Sequence, residues 1–236
     1  DRLDAARARD ASVGFVPTMG FLHDGHVSLM EAARRNHDVV VASIFVNPLQ
    51  FAPDEDLDDY PRDLDGDAAR SAAAGVDLLF VPTVTEMYPD GHPIATTVSV
   101  AGVSAEFEGA SRPTHFAGVA TVVAKLFAIV GPCSAYFGEK DFQQLAVIRR
   151  MARDLSLPID VVGCPTVRDD DGLAMSSRNA YLTDDQRAAA PVVNRALRAG
   201  VATILAGETD PAAVRSAMAA VVAAEPLAEL DYVAVV

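Results

Sequence analysis

Pro17-Thr18-Met19-Gly20-Phe21-Leu22-His23-Asp24-Gly25-His26 sets two histidines and two glycines between an apolar run and a helical pattern. Val13–Pro17 reads as a strand, and Val27–Asn36 as the body of a helix that begins at Gly25. A helix start presents unpaired N–H groups and a partial positive charge, which suits an anion. Gly25 lets a phosphate approach the backbone. His23 and His26 add hydrogen-bond donors to a phosphate on which charge develops. The chemistry of this pattern is transfer at a phosphate. The four residues by themselves also fit a polar turn, and it is the strand before and the helix after that give them weight.

Three other stretches carry polar groups in similar places. Phe137-Gly138-Glu139-Lys140-Asp141-Phe142-Gln143-Gln144 repeats strand, glycine turn and helix start. Lys140 supplies a point charge for a phosphate, Asp141 is a candidate cap, and Gln144 shares a helical face with Asp141. Taken alone, this is equally a capped helix with a solvated lysine. Ala174-Met175-Ser176-Ser177-Arg178-Asn179 is a compact donor cluster, in which Ser176 and Ser177 can bind phosphate oxygens and Arg178 can clamp them. Alone, it is a serine-rich turn. In Asn47-Pro48-Leu49-Gln50-Phe51 the proline stops an apolar run over 38–46. Asn47 and Gln50 then lie at its C-terminal end, where open α/β sheets hold ligands.

The elements that position these stretches alternate. A helix over residues 2–9, strands over 13–17, 38–46, 76–81, 134–137 and 159–163, and helices over 25–36, 63–74, 117–130 and 142–155 predict a Rossmann-like parallel sheet with helices on both faces. A loop-rich stretch over 82–93, a short strand over 96–100, a short helix over 104–110 and a loop over 112–116 fill the middle. After Thr166 the pattern changes to an acidic turn, an irregular stretch, two long alanine-rich helices over 183–205 and 211–224, and a strand over 231–236. This predicts two domains, residues 1–166 and 167–236, the second a smaller, incomplete α/β domain.

Composition narrows the partners. Half of the 236 residues are hydrophobic, and the net charge is −14 from 19 basic and 33 acidic side chains. That field repels nucleic acid and anionic membranes, so phosphate must be met by local positive groups. Cys133 and Cys164 fit no zinc spacing or disulfide framework and read as small buried hydrophobes. No signal peptide and no membrane-crossing run is visible, which points to the cytoplasm. His37 at a helix end suits the helix dipole. His92 reads as exposed, His115 as an outside candidate for the site, and Lys125 as a snorkelling surface residue. Asp65 and Asp67 are the acids considered for Mg2+, but the metal ligands stay unassigned.

In this order and spacing, His23-x-Gly25-His26 and Met175-Ser176-Ser177-Arg178 are similar to the His-x-Gly-His and Lys-Met-Ser-Lys-Ser loops of adenylating enzymes. Pro17–His26, Ser43–Phe51, Asp56–Arg62, Arg112–Phe127, Phe137–Gln144 and Gly172–Leu182 together resemble the pantothenate synthetases, the pantoate–β-alanine ligase family. Relative to that family the chain looks shortened at both ends. The resemblance implies two steps. Pantoate attacks the α-phosphate of Mg-ATP, then the β-alanine amine attacks the pantoyl adenylate. It implies ATP contacts from Met19, Gly20, Phe21, Leu22, His23, Asp24, Gly25, His26, Gly138, Glu139, Lys140, Asp141, Val167, Met175, Ser176, Ser177 and Arg178. His26, His23, Lys140 and Arg178 take the catalytic roles, His26 as general acid or transition-state donor. Gln50 and Gln144 hold pantoate, and Gln50 also meets β-alanine. ATP and Mg2+, a mobile lid, a homodimer and no nucleic-acid or membrane partner complete the expectation. A nucleotidylyltransferase, a fragment of an aminoacyl-tRNA synthetase and a non-catalytic nucleotide-binding module are the rival readings.

Overall fold

The computed structural model describes residues 2–91 and 93–236, so the reading of His92 lies outside the described residues. They form two compact units that divide after Thr166.

In the first unit, α1 (Arg2–Arg7) leads to β1 (Val13–Thr18), α2 (Asp24–Asn36), β2 (Val39–Ile44), a 3-10 turn at Pro48–Gln50, α3 (Leu64–Ala73) and β3 (Leu78–Phe80). Short helices α4 (Val84–Met87) and α5 (Glu108–Ser111) precede α6 (His115–Val130). Then come β4 (Cys133–Gly138), a 3-10 turn at Glu139–Asp141, α7 (Phe142–Asp154) and β5 (Ile159–Cys164). The five strands pair in parallel in the order β3-β2-β1-β4-β5.

Alternation along the strands sends side chains to two cores. Phe15, Val41, Ala135 and Phe137 pack with Val119, Val123 and Phe127 of α6 and Leu145, Ile148 and Met151 of α7. Val16, Val40, Ala42 and Tyr136 face Leu29, Met30 and Ala33 of α2. Both faces of the sheet are therefore covered, the condition under which parallel strands are stable. α6 runs very close to the turn that bears Gln50. A Cβ on Gly118 would lie 2.1 Å from the Leu49 carbonyl oxygen and 2.6 Å from the Gln50 nitrogen.

One expectation in this unit fails. Residues 96–100 are not a strand, because Thr121 of α6 takes the place of a ladder neighbour: its Oγ1 accepts from the Val98 N–H at 2.9 Å. Within the loop-rich stretch after β3, Thr83 and Glu86 cap α4 reciprocally.

In the second unit, an antiparallel bridge pairs Arg168 with Ala174, and a 3-10 helix covers Ser177–Tyr181. α8 (Asp184–Ala189), α9 (Val192–Leu205) and α10 (Pro211–Ala223) follow. The single helix expected over 183–205 is two. Pro191, without an N–H to donate, stands at the N-cap of α9 and breaks the ladder there. Residues 231–236 are extended but form no strand. Val233 and Val235 rest on the core of α9 and α10, yet no described segment pairs with their backbone.

Gly118→Ala is expected to destabilise the first unit by about 1–3 kcal/mol, because the added carbon meets backbone that cannot rotate aside. Urea unfolding followed by circular dichroism measures it.

Candidate active site

The strand order reverses at β1. The chain builds outward through β2 and β3, then returns to add β4 and β5 on the other side. The crevice beyond the C-terminal ends of β1 and β4 is the topological switch point, where doubly wound sheets bind ligands. The loop to His23 and His26 follows β1, and Gly138–Asp141 follows or ends β4. The ladder between Gly14 and Ser134 and between Phe15 and Ala135 brings the two turns side by side.

Backbone amides fix the two imidazoles. His23 is the N-cap of α2, and its Nδ1 accepts from the Gly25 N–H at 3.1 Å. His26 Nδ1 accepts from the His23 N–H at 3.3 Å, and the ring centroids are 4.1 Å apart. With each Nδ1 accepting, the proton of each neutral ring is on Nε2. Burial, followed by the neighbouring His23 and Lys140, pushes the pKa of His26 from 6.5 down to about 3. Burial and Lys140 also lower His23. His26 nevertheless retains some exposed surface. Of the two roles expected of His26, general acid or transition-state donor, this lowering favours the donor. A ring this hard to protonate is a neutral donor at physiological pH.

The influence of Lys140 on both imidazoles brings the second motif to the first. Its Nζ donates to Asp141 Oδ1 at 2.9 Å. Asp141 occupies the N-cap of α7 without a side-chain capping bond, so the expected cap is replaced by this ion pair. Gly138 closes β4, Glu139 begins the 3-10 turn, and Gln144 sits half-buried in the first turn of α7. Asp24 is exposed and pairs with Arg70 at 3.1 Å.

Gln50 is buried beside the loop after β1. Its Nε2 donates to Met19 Sδ at 2.9 Å, and its Oε1 accepts from Asn47 Nδ2 at 3.2 Å. Asn47 is a hub: Nδ2 also donates to the Gly118 carbonyl, and Oδ1 accepts from Tyr88 Oη at 2.7 Å. Burial pushes the Tyr88 phenol up to about 12, so it stays a donor. His115 Nδ1 donates to the Gln50 carbonyl at 3.0 Å, and burial lowers its pKa. Arg112 binds Glu55 through Nε and Nη2 and Glu108 through Nη1. Sequence reasoning passed over Asn47, Gln143 and Arg112 as supports. Gln143, next to Gln144, donates to the Val103 and Glu106 carbonyls and accepts from the Glu108 N–H.

The second unit gathers Val167 with Met175–Arg178. The Met175 N–H donates to the Val167 carbonyl at 3.0 Å, and Ser176 Oγ caps the 3-10 helix by accepting from the Arg178 N–H. Ser177 is buried. Gly172, at a φ of 94°, turns this hairpin against Asn194 of α9.

Other readings resolve simply. His37 is the C-cap of α2, but burial lowers its pKa and Tyr136 Oη lies 2.9 Å from its Nε2, so it is a neutral hydrogen-bonding group without the dipole-matched charge expected. Lys125 lies 5.8 Å over the Tyr88 ring. Cys133 and Cys164 sit inside strands with thiols raised by burial, Cys133 to about 12. Among the described residues, no helix is long and apolar enough to cross a membrane.

The model of the pantoate–β-alanine ligase family matches residues 1–236. The chain belongs to this family. Family membership makes it an enzyme that ligates pantoate and β-alanine. It is 57% identical over 234 residues to the pantothenate synthetase of Allorhizobium ampelinum, covering 99% of this chain and 80% of that one. With the enzyme of Moorella thermoacetica the figures are 56%, 98% and 81%. The crystal structure of pantothenate synthetase from Thermus thermophilus superposes with a TM-score of 0.88 at 56% identity, covering 95% of this chain and 81% of that one. The Francisella tularensis ligase, crystallised with β-γ ATP and β-alanine, gives 0.79 at 35% identity, with 94% and 83% covered.

The depressed pKa of His26 sets a pH dependence. Above 6.5, folded and unfolded chains both carry a neutral ring. Between 6.5 and about 3 the unfolded chain binds a proton that the folded one refuses, so this contribution to stability is lost as pH falls, by about 1 kcal/mol per pH unit. His26→Gln is expected to flatten urea-derived stability across that window, and NMR should show His26 without an inflection from pH 8 to 5.

Proposed function

We propose that this chain condenses pantoate with β-alanine at the expense of ATP, through a pantoyl adenylate formed at the crevice between β1 and β4. The observation that carries the reading is the meeting of two neutral Nε2–H donors, from His23 and His26, with the Lys140 charge beyond two adjacent central strands.

A pantoate carboxylate oxygen attacks the α-phosphorus, and the bond to the departing pyrophosphate breaks. Charge grows on the phosphate oxygens, and prepositioned donors act most strongly there. Lys140 then releases Asp141 to meet the phosphates. Met19, Gly20, Phe21, Leu22, Asp24, Gly25, Gly138 and Glu139 form the nucleotide walls, and the resemblance assigns ATP contacts to Val167, Met175, Ser176, Ser177 and Arg178 as well. In the second step the β-alanine nitrogen attacks the acyl carbon, the bond to AMP breaks, and the amine loses a proton.

Gln50 suits pantoate for a physical reason. Its amide N–H rests on a thioether, a weak acceptor that a substrate oxygen can replace at little cost. Gln144 supplies a second neutral amide, which can bind pantoate's hydroxyl without opposing its carboxylate.

Magnesium enters with the nucleotide. Among the described residues, no group of three or more His, Cys, Asp or Glu side chains could hold a metal ion. An ion carried by phosphates and one carboxylate fits such a donor set. The resemblance adds a homodimer in the cytoplasm, which sedimentation of the purified protein tests for assembly.

His26→Ala is expected to slow adenylate formation by about 10²–10³, and conversion of supplied pantoyl adenylate plus β-alanine far less. The defect should be constant from pH 6 to 8, as a neutral donor requires. Rapid-quench assays of each half-reaction decide it, and equal losses in both would remove the step-specific role. Gln50→Ala should raise the KM for pantoate well above any change for ATP, corresponding to about 1–3 kcal/mol of lost hydrogen bonding. Steady-state kinetics in both substrates shows the split.

A further inference from the structure

Asp67 lies in α3, outside both turns of the site, and is 2% exposed. Its carboxylate reaches across to the loop after β1. Oδ2 accepts from the Phe21 N–H at 2.7 Å, and Oδ1 accepts from the Leu22 N–H at 2.6 Å. Both bonds are short and charge-assisted, the stronger class of hydrogen bond.

The loop they hold is strained. Gly20 has a φ of 88° and Phe21 a φ of 51°, the left-handed region that a bulky aromatic residue rarely enters. Such a conformation persists only where surroundings impose it. The space is equally specified. A Cβ on Gly20 would stand 2.9 Å from Asp67 Oδ2 and 2.9 Å from Ile44 Cγ2. Directly after the clamped pair comes His23, whose N–H donates to His26 and whose Nδ1 accepts from Gly25. The α3 carboxylate thus grips two amides of the chain that runs directly, through the Leu22–His23 peptide bond, into the backbone that sets both imidazoles.

We propose that Asp67 is the positioning residue of the histidine loop. It holds the left-handed Gly20–Phe21 turn through the Phe21 and Leu22 amides and thereby aims His23 and His26, a role that rests on the reading of those histidines as phosphate donors. Asp67, considered above for Mg2+, has both carboxylate oxygens engaged with backbone N–H groups. The Phe21 and Leu22 amides, counted among the ATP contacts from the resemblance, point to Asp67 and hold the nucleotide wall in shape without donating to phosphate.

The test uses Asp67→Asn and Asp67→Ala. Asparagine keeps one acceptor but turns an NH2 group toward the other amide, and alanine removes both acceptors. Folding is checked by circular dichroism and Tm. For the folded variants, the rate of adenylate formation should fall roughly 10- to 100-fold, alanine further than asparagine, with little change in the KM for ATP, as expected of misplaced catalytic groups. The imidazole NMR signals of His23 and His26 should move while those of His37, at the other end of α2, stay in place. In the unmodified protein without ATP, the Phe21 and Leu22 amides should be protected from hydrogen exchange. This last measurement decides the clamp if a variant does not fold. Unprotected amides would overturn the proposal. So would a folded Asp67→Asn with unmoved His26 signals and unchanged adenylate formation. If the unmodified protein formed no adenylate, the functional reading would fail, while exchange and the imidazole signals would still decide the clamp.

Discussion

The site depends on one piece of backbone pairing, the parallel ladder between β1 and β4 through Gly14–Ser134 and Phe15–Ala135. Residues more than a hundred positions apart meet there. Without it the histidine loop and the Gly138–Asp141 turn belong to separate halves of the sheet. The ladder also explains the electrostatics. It sets Lys140 near two imidazoles, so that like-charge opposition adds to burial and keeps both rings neutral. A neutral ring accepts at one nitrogen and donates at the other, and the N-terminal amides of α2 determine which. A helix N-terminus thus does more than attract an anion: it selects the tautomer.

The turn that bears Gln50 is held by a different device. Asn47 satisfies Gln50, the Gly118 carbonyl and Tyr88 together, and His115 and Arg112 reach the Gln50 carbonyl from α6 and the residues before it. Each of these polar groups is buried or half-buried and has a partner, the condition under which a polar network makes a core rigid. The absence of a side chain at Gly118 is part of the same construction, since it lets α6 lie against the turn. Only the Gln50 amide N–H, resting on sulfur, is left with a weak partner. Stiff support around one exchangeable donor suits the pantoate contact proposed for Gln50.

The sequence by itself determined the parallel α/β class, the five strands of the sheet and the helices that cover it. Those signals are local: apolar runs of strand length, helical periodicity, and glycine or proline at the boundaries. The family could be read for the same reason, because long motifs stand in order along the chain. Even the division after Thr166 coincides with a change of local pattern. Local signals erred where a partner decides. Residues 96–100 alternate like a strand but meet a threonine from α6, and residues 231–236 alternate without any described strand beside them. Only the tertiary structure decided that β1 neighbours β4, that burial and Lys140 lower the His26 pKa, that Asp141 pairs with Lys140 and leaves its helix uncapped, and that Asp67 grips the histidine loop. Each of these depends on groups distant in sequence whose approach is set by strand order and packing, and on the loss of water around them, which no spacing of residues along a chain records.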